Sequence, residues 1–449
     1  MKLQTTSDLL TDGIKRNAAV LCLGIISSLA WLYLLAHSQS FGQATLTQLY
    51  AVAATVALCS ILAGLINRQK ASQLNLLLIL AFALLFRLIG FFTFPVLEDD
   101  FYRFLWDGYM FASTGSPYGL PPSGFFGQEL SARYNDVLDT INYPDSATIY
   151  GPTNQWLFYL SYLIAPGELW PLKIVVAVSD ILVLLLLMKR ASSMAFILYA
   201  WSPLVIKEFI ISLHPDIWGS MLVFLALIAF QSRRHYLVGS LLALAAGVKL
   251  FALVIVPFLL LWHWRAWVSF TGIAILIALP FGVREAWLPD GLSTMSANWI
   301  FNAPLYEIAS NFITMSQVKM GLLSLFIVVG ASYGIRWLLQ QIKRPNTLPS
   351  PIPKIDLILG LFFVCLPVFN PWYLIWLIPF AALRNQCWVW VASIMLFLSY
   401  ATGINLNNQQ LAYYEHPNWI LVVEFGTIFI VLAIEHGLKA NGKQRRPSD

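Results

Sequence analysis

Charged residues are scarce in this sequence, where Asp, Glu, Lys and Arg together make up 11% of 449 residues. Soluble domains carry about 25% charged residues. Because 59% of the residues are hydrophobic, a chain of this length would expose a large apolar surface if it folded in water. The composition therefore excludes a water-soluble globule and predicts a membrane protein. The net charge of +5 gives no indication of nucleic-acid binding.

Cysteine is also scarce, and its placement excludes two common uses of the thiol group. The four cysteines lie in or beside apolar runs, and no CxxC pair occurs. Neither a disulfide framework nor a thiolate metal site is therefore expected. We interpret the four thiols as small hydrophobic groups of the protein core. They are Cys22, Cys59, Cys365 and Cys387.

The chain is rich in apolar runs long enough to cross a bilayer, which takes about 20 residues per helix. The first run, Ala18 to Ala36, follows Lys15 and Arg16 and has no cleavage signature. We therefore interpret it as a retained span whose N-terminal side is cytoplasmic. The same rule, applied to later basic loops, predicts an all-α polytopic protein of roughly 12–14 transmembrane helices with both termini in the cytoplasm.

The helix count depends on two ambiguous apolar segments. Residues 156–164 are too few to cross, so we predict an interfacial helix in the first large loop. The run 236–262 is long for one crossing, and we predict two short helices that turn near Lys249. The basic stretches 343–354 and 439–446 then lie in the cytoplasm.

These crossings divide the chain into four parts. Residues 1–75 form an N-terminal cytoplasmic segment and two transmembrane helices. Residues 76–283 form a transmembrane core with an extracytoplasmic loop, 98–170, and a second such loop occupies 284–316. Residues 317–449 form the last transmembrane helices and a basic cytoplasmic tail.

The first large polar segment opens with Glu98, Asp99 and Asp100, directly after the third apolar run. The predicted topology places these acids at the extracytoplasmic membrane surface. A carboxylate in that setting can act as a general base, because partial dehydration and a neighbouring like charge both favour proton binding. The alternative is a solvated loop, in which the acids only mark the outer end of a span.

The residues around these acids resemble a known family. Asp99 to Gly108 (DDFYRFLWDG) and Gly115 to Tyr118 (GSPY) are similar to the first extracytoplasmic loop of bacterial polyprenol-phosphate-mannose-dependent mannosyltransferases. These enzymes are GT-C class membrane glycosyltransferases, and a looser likeness extends to the first mannosyltransferase of glycosylphosphatidylinositol-anchor synthesis. Weaker likenesses follow at Asn142–Pro144, Thr148–Pro152, Glu208, His214, Asp216, Val248–Leu250 and Pro371–Tyr373. The two spans before Arg87 look like an addition to the usual core of the class.

The resemblance implies an inverting transfer of a sugar, expected to be mannose, from a polyprenyl phosphate to an extracytoplasmic glycan or lipid acceptor. It implies a multi-pass protein of a bacterial inner or plasma membrane, with the donor, membrane lipids and a glycan or glycolipid as partners, and no nucleic acid. The general base of the class is an acid of the first loop, which here is Asp100 or Asp99. We prefer Asp100, because it stands ahead of Tyr102 and Arg103. The cofactor is left open: adjacent acids could hold Mg²⁺ or Mn²⁺, but no metal ligands are assigned.

A leaving phosphate needs cations or hydrogen-bond donors around it. The candidates are Arg103, Lys249, His214 and Lys207, the last because the apolar run 194–206 is expected to end before it at the outer surface. Each candidate has a structural alternative, such as an ion pair of Arg103 with the acids or a hydrogen-bonded pair of His214 with Asp216. The other substrate-binding candidates are Tyr102, Trp106, Asp107, Tyr150, Gln155, Asp216, Asn302 and Tyr373, whose aromatic members could equally be interfacial residues.

Two charges lie deep within predicted spans. Arg87 and Asp180 are each about ten residues from the outer end of their helix. We predict that they pair, because either charge alone would be costly at that depth. The alternative places Arg87 under the donor phosphate.

Two other classes of function stay open at this point. A transporter or flippase of lipid-linked glycans would place charged groups along a path through the membrane. A glycan polymerase or ligase would release a polyprenyl diphosphate. The acids and most turn signals gather in 98–170 and 284–316, on one predicted face, which favours a transferase.

Overall fold

The computed structural model describes residues 6–37, 41–68, 72–260, 263–292, 299–343 and 354–444. Most of the basic loop predicted at 343–354 therefore lies outside the described residues, as do Arg445 and Arg446 of the predicted tail. The described residues contain no β-strand, and an isolated parallel bridge joins Phe301 and Val368.

Helices long and apolar enough to cross a membrane number eight among the described residues. Four shorter apolar helices accompany them. The protein is thus an all-α polytopic membrane protein, as the apolar runs predict. The long spans are Gly13–His37, Gln43–Ile66, Gln73–Phe92, Trp170–Arg190, Ser193–Ile211, Trp264–Phe281, Met315–Gln340 and Asn418–Leu438. The shorter ones are Asp216–Gln231, His235–Val248, Ile355–Val364 and Cys387–Tyr400.

The chain divides into two compact units, each built from separate stretches of sequence. The first unit contains the described residues of Met1–Glu98, Ile181–Ser212 and Ala381–Asp449, and the second contains those of Asp99–Asp180 and Leu213–Phe380. The acidic stretch is therefore divided: Glu98 belongs to the first unit, whereas Asp99 and Asp100 begin the second.

The first unit buries Arg87 within its helices. The guanidinium donates to the carbonyl oxygens of Ala83 and Ala200 at 3.0 and 2.9 Å, and Trp201 donates to the carbonyl of Ile79 at 3.0 Å. Ala200 is the last residue of the helix Ser193–Ala200, where carbonyls lack a main-chain partner and can accept from such a cation. Asp180, in the second unit, is also buried, and its pairing with Arg87 stays a prediction.

The apolar run after residue 193 continues further than expected. We predicted that it would end at Ile206, but the span extends to Ile211 and contains a π-helical turn, Ile206–Ile211. Lys207 and Glu208 lie within that turn and are fully buried. The prediction of the end was wrong because the two opposite charges meet each other inside the protein, so they do not mark a surface.

The predicted loop 98–170 folds into three α-helices, Asp100–Thr114, Ala132–Thr140 and Pro152–Ile164. We call the first the acidic helix. It packs against Pro152–Ile164 at Gly108, where an added Cβ would meet the Phe158 carbonyl oxygen at 2.5 Å. A helix thus forms where we expected one at 156–164, with Pro152 at its first position, and its interfacial location stays a prediction.

The long run after residue 235 breaks at Lys249, as predicted. The helix His235–Val248 ends there, Lys249 has extended backbone angles, and a 3₁₀ helix follows at Leu250–Val254. Two side chains of Pro152–Ile164 satisfy carbonyls at this helix end: Thr153 donates to Leu244 and Asn154 donates to Val248, at 2.8 and 2.9 Å. The Asn154 bond supplies a partner for a carbonyl that the end of the helix leaves without a main-chain donor.

Candidate active site

The acidic helix begins at the two candidate bases. Asp99 occupies the N-cap position, its carbonyl accepts a hydrogen bond from the Tyr102 amide, and Asp100 is the first helical residue. A helix N-terminus favours negative charge because its amide groups point outward. The side chain of Asp100 is 27% exposed, so it is both held by the protein and open to a ligand.

Neutral donors hold both oxygens of the Asp100 carboxylate. Asn142 Nδ2 donates to Asp100 Oδ1 at 2.8 Å and also to Asp99 Oδ1 at 2.9 Å. The Tyr150 hydroxyl donates to Asp100 Oδ2 at 3.1 Å. Burial and then the charge of Asp100 raise the pKa of Tyr150 well above its usual value, so the phenol keeps the proton that it donates. The two donors therefore fix the orientation of the Asp100 carboxylate.

A stacked histidine lies beside the same carboxylate. His214 Nε2 is 3.9 Å from Asp100 Oδ2, and the imidazole stacks on Trp372 with ring centres 3.8 Å apart. Trp372 belongs to the 3₁₀ helix Pro371–Trp376. The stack fixes the plane of the imidazole, which turns a ring nitrogen toward Asp100.

Lys249 supplies a cation held by a buried carboxylate. Its Nζ lies 2.9 Å from both oxygens of Asp216, and Trp376 Nε1 donates to Asp216 Oδ1 at 2.8 Å. The ammonium also lies 4.3 Å from the centre of the Tyr373 ring, a favourable cation–π distance. Asp216 thus binds Lys249 and Trp376, and its pairing with His214 stays a prediction. The Lys249 side chain is 22% exposed, so part of its charge faces outward.

Tyr373 lies near both Lys249 and the Asp100 carboxylate. The charges of Asp216 and Asp100 both act on its phenol, and its ring lies edge-on to Trp372 with centres 6.0 Å apart. The second unit therefore brings together seven of the predicted site residues. They are Asp99, Asp100, Tyr150, His214, Asp216, Lys249 and Tyr373.

Several other predicted ligands have protein partners here instead. Arg103 donates to main-chain carbonyls of 142–146, and Asp107 accepts from Gln155 and Thr148. Neither Arg103 nor Asp107 is open to solvent. The predicted ion pair of Arg103 with the acids is replaced by these carbonyl contacts, since they lie within reach of its fork of donors.

The aromatic and amide candidates are also occupied by packing. Trp106 is 1% exposed and packs on Tyr109 and Phe125 in an apolar cluster, which leaves no face for a sugar. Tyr102 packs on Phe101 and is half-buried. Asn302 is buried and donates to the Phe369 carbonyl at 3.3 Å. For Tyr102 and Asn302, sugar binding stays a prediction.

Lys207 corrects another expectation, because it is enclosed in the first unit. Its ammonium lies 3.3 Å from Glu208 Oε2 and 3.7 Å from Glu98 Oε1, and it donates to the Tyr400 hydroxyl. Tyr400 in turn donates to Glu208 Oε1 at 2.5 Å. We call this group the lysine cage. With no exposed surface, Lys207 has its charge balanced internally and presents none of it to a phosphate.

Sequence reasoning missed three groups as site residues: Asn142, Trp372 and Trp376. The first two lay within noted motifs, and their roles need the tertiary contacts. Trp376 binds Asp216 across 160 residues of sequence, so no local pattern indicates it.

Left-handed backbone occurs next to two residues of the site. Tyr143, which follows Asn142, and Leu213, which precedes His214, have φ of 46° and 68°. Such conformations cost a residue with a side chain roughly 1–3 kcal/mol and cluster at functional sites.

Comparison with known proteins bears on this site. A family model described as alpha-(1->6)-mannopyranosyltransferase, N-terminal domain (the MptA_B family), matches residues 13–266, which is 254 of the 449 residues. The match includes the acidic helix, Asn142, Tyr150, His214 and Lys249. No curated protein and no solved structure matches the chain. The chain belongs to the MptA_B family of alpha-(1->6)-mannopyranosyltransferases, and it is a membrane mannosyltransferase.

Proposed function

We propose that this mannosyltransferase takes mannose from a polyprenyl phosphate and gives it, with inversion, to a hydroxyl of an extracytoplasmic glycan or glycolipid. Asp100 is the general base of this reaction. The main support for the proposal is the environment of the Asp100 carboxylate. Both of its oxygens accept hydrogen bonds from neutral groups, Asn142 and Tyr150, while part of the side chain stays open.

The transfer of mannose needs one bond to form, one bond to break and one proton acceptor. The acceptor oxygen attacks the anomeric carbon and loses its proton to Asp100. The bond between that carbon and the phosphate oxygen breaks, and polyprenyl phosphate leaves with the electron pair. A base on the face opposite the leaving group gives inversion, and a positioned base typically contributes about 10²–10⁴-fold in rate.

Lys249 is our candidate for stabilising the leaving phosphate. Its charge is fixed by Asp216 and Trp376 and is partly open, whereas Arg103 and Lys207 are committed to protein groups. A pre-oriented cation stabilises developing negative charge without reorganising during the reaction. The tail of the donor lies in lipid, so its phosphate lies at headgroup height, and we expect the Asp100 carboxylate to lie at that height on the extracytoplasmic side.

The test uses purified protein in lipid nanodiscs with extracted glycolipid acceptors. Polyprenyl-phosphate mannose, glucose and arabinose are compared with a nucleotide-activated mannose as donors, with and without EDTA. We expect transfer from polyprenyl-phosphate mannose alone, giving a product of inverted anomeric configuration. Transfer from the nucleotide sugar, or a retained configuration, would overturn the proposal. The EDTA arm decides whether a divalent cation takes part.

Membership in a mannosyltransferase family favours transfer over the transporter or flippase. It also argues against a polymerase or ligase that releases a diphosphate. No contact among the described residues favours either alternative.

A further inference from the structure

One segment of the second unit contacts Asp100 at both of its ends. We call residues 142–150 the strap. Asn142, its first residue, donates to Asp100 Oδ1, and Tyr150, its last, donates to Asp100 Oδ2. The orientation of the carboxylate therefore depends on how the strap is held against the acidic helix.

Arg103 holds the first part of the strap. Its Nη2 donates to the carbonyls of Asn142 and Tyr143, both at 2.9 Å, and its Nη1 donates to the carbonyl of Ser146 at 3.0 Å. Tyr143 has left-handed backbone angles, so the strap turns sharply where the guanidinium binds it. A planar fork of donors can serve several carbonyls at once, whereas an ammonium cannot match that geometry.

Asp107 holds the second part of the strap. Thr148 donates to Asp107 Oδ2, and Gln155 Nε2 donates to the same oxygen at 2.8 Å. The Thr148 hydroxyl also accepts from the Tyr150 amide at 3.3 Å. Tyr118 donates to the Tyr150 carbonyl at 3.0 Å. The main chain of Tyr150 is thus fixed on both sides, which aims its hydroxyl at Asp100.

The sequence places these groups on one side of the acidic helix. Asp100, Arg103 and Asp107 stand three and seven positions apart, a spacing that puts residues on the same helix face. One helix therefore carries the base at its first turn and both anchors of the strap behind it.

We propose that Arg103 and Asp107 are positioning residues, which hold the strap and through it set the orientation of Asp100. They do not bind the donor. The proposal rests on the proposed function, because Asp100 must be the base for its orientation to matter. It reassigns two residues that the sequence had suggested as substrate ligands.

The charge of Asp107 makes this arrangement sensitive to acid. Burial raises its pKa to about 6, while the Arg103 charge and the hydrogen bonds from Thr148 and Gln155 lower it. The other titratable groups that its charge reaches are the phenols of Tyr118 and Tyr150. A proton on Asp107 removes its attraction to Arg103 and weakens both bonds to Oδ2. We therefore expect kcat to fall as pH drops through about 6, and this limb to vanish in Asp107→Asn.

The decisive variant is Arg103→Lys, which keeps the positive charge and loses the planar set of donors of the guanidinium group. Positioning predicts that kcat falls between about 10- and 100-fold, the effect of a base displaced by about 1 Å, with an unchanged KM for the donor. A phosphate ligand predicts the reverse, with kcat retained in Arg103→Lys and a raised KM in Arg103→Gln. The matched control is Arg133→Lys, an exposed arginine paired with Glu168, which should change neither constant.

A second measurement tests the positioning roles without depending on the identity of the sugar donor. Hydrogen exchange of the strap amides should speed up in Arg103→Lys and in Thr148→Val, with exchange in the His235–Val248 helix unchanged. If Arg103→Lys does not fold, Thr148→Val tests the other anchor of the strap, because it removes the hydroxyl that donates to Asp107. Wild type that uses no polyprenyl-phosphate sugar would overturn the proposed function alone. Unchanged strap exchange in the folded variants, or a fall in kcat through about pH 6 that persists in Asp107→Asn, would overturn the positioning roles.

Discussion

The Asp100 site and the lysine cage use the same kinds of residue to different ends. Both combine carboxylates, a lysine and a tyrosine that donates to a carboxylate. In the cage, Lys207 meets two carboxylates and a phenol with no exposed surface. At Asp100 the donors are neutral, and both Asp100 and Lys249 stay partly open. Because Lys207 is buried and its charge is paired with protein groups, we interpret the cage as a structural cluster. Because Asp100 and Lys249 are partly exposed, a bound substrate can contact their charged groups.

The largest expected effect is that of Asp100→Asn. An amide cannot take the proton of the acceptor, so kcat should fall between about 10²- and 10⁴-fold. Donor binding should stay, because the side chain keeps its shape. Initial rates and donor binding in nanodiscs measure the two quantities.

Asp99→Asn is the matched control for that experiment. Asp99 shares the Asn142 amide with Asp100 but lacks the Tyr150 contact, so we expect a smaller loss. If Asp99→Asn is the more damaging change, the role of base passes to Asp99. If neither change slows transfer, the contrast between an active and a structural carboxylate cluster breaks down.

Lys249→Gln tests the partly open cation. Loss of a charge that stabilises the leaving phosphate should cost between about 10²- and 10³-fold in kcat. Lys249→Arg, which restores the charge, should recover part of the rate. Equal rates in Lys249→Gln and Lys249→Arg would show that the charge at position 249 does not stabilise the leaving phosphate.

Lys207→Met tests the closed cluster, and its effect should be on stability. Two buried carboxylates would lose their cation, a change that costs about 3–5 kcal/mol when one partner of a buried pair is removed. The thermal midpoint in detergent should fall, and Glu208→Gln in the same chain should restore part of it. A variant as stable as wild type would contradict our description of the cage.

The smallest expected effect concerns acid and Asp107. Its pKa is raised from 3.8 to about 6 in the folded protein, so the folded state binds the proton more tightly than the unfolded state. Stability should therefore rise as pH falls from about 6 to 4, by up to roughly 3 kcal/mol. Asp107→Asn should flatten this dependence, as read from midpoints at pH 4, 5, 6 and 7. An unaltered slope would mean that other groups cause it.

Local patterns predicted the helices and some parts of the site. Apolar runs predicted the all-α membrane fold, and one lysine in a largely apolar run of 27 residues predicted the break at Lys249. The acids that follow an apolar run, within a stretch that resembles the first loop of a known family, pointed to Asp99 and Asp100. Each of these depends on residues close together in sequence, where period and composition are informative.

Long-range partners could not be predicted in the same way. Lys207 looked like an outer-surface cation because its partner Tyr400 lies 193 residues away. Arg103 looked like a phosphate ligand because its acceptors in the structure are main-chain carbonyls. Every residue has such a carbonyl, so no residue type in the sequence indicates these acceptors. Trp106 looked like a sugar platform until its neighbours Tyr109 and Phe125 were in place. Only tertiary contacts separate these alternatives.

The amide of Asn142 has a consequence for how the two acids of the helix end are held together. One planar group with two hydrogens donates to both adjacent carboxylates and so keeps them side by side. An aspartate at 142 would supply no donor and would bring a third acid to the same point, so like charges would push the three side chains apart. A single nitrogen atom therefore joins the two acids at the start of this helix.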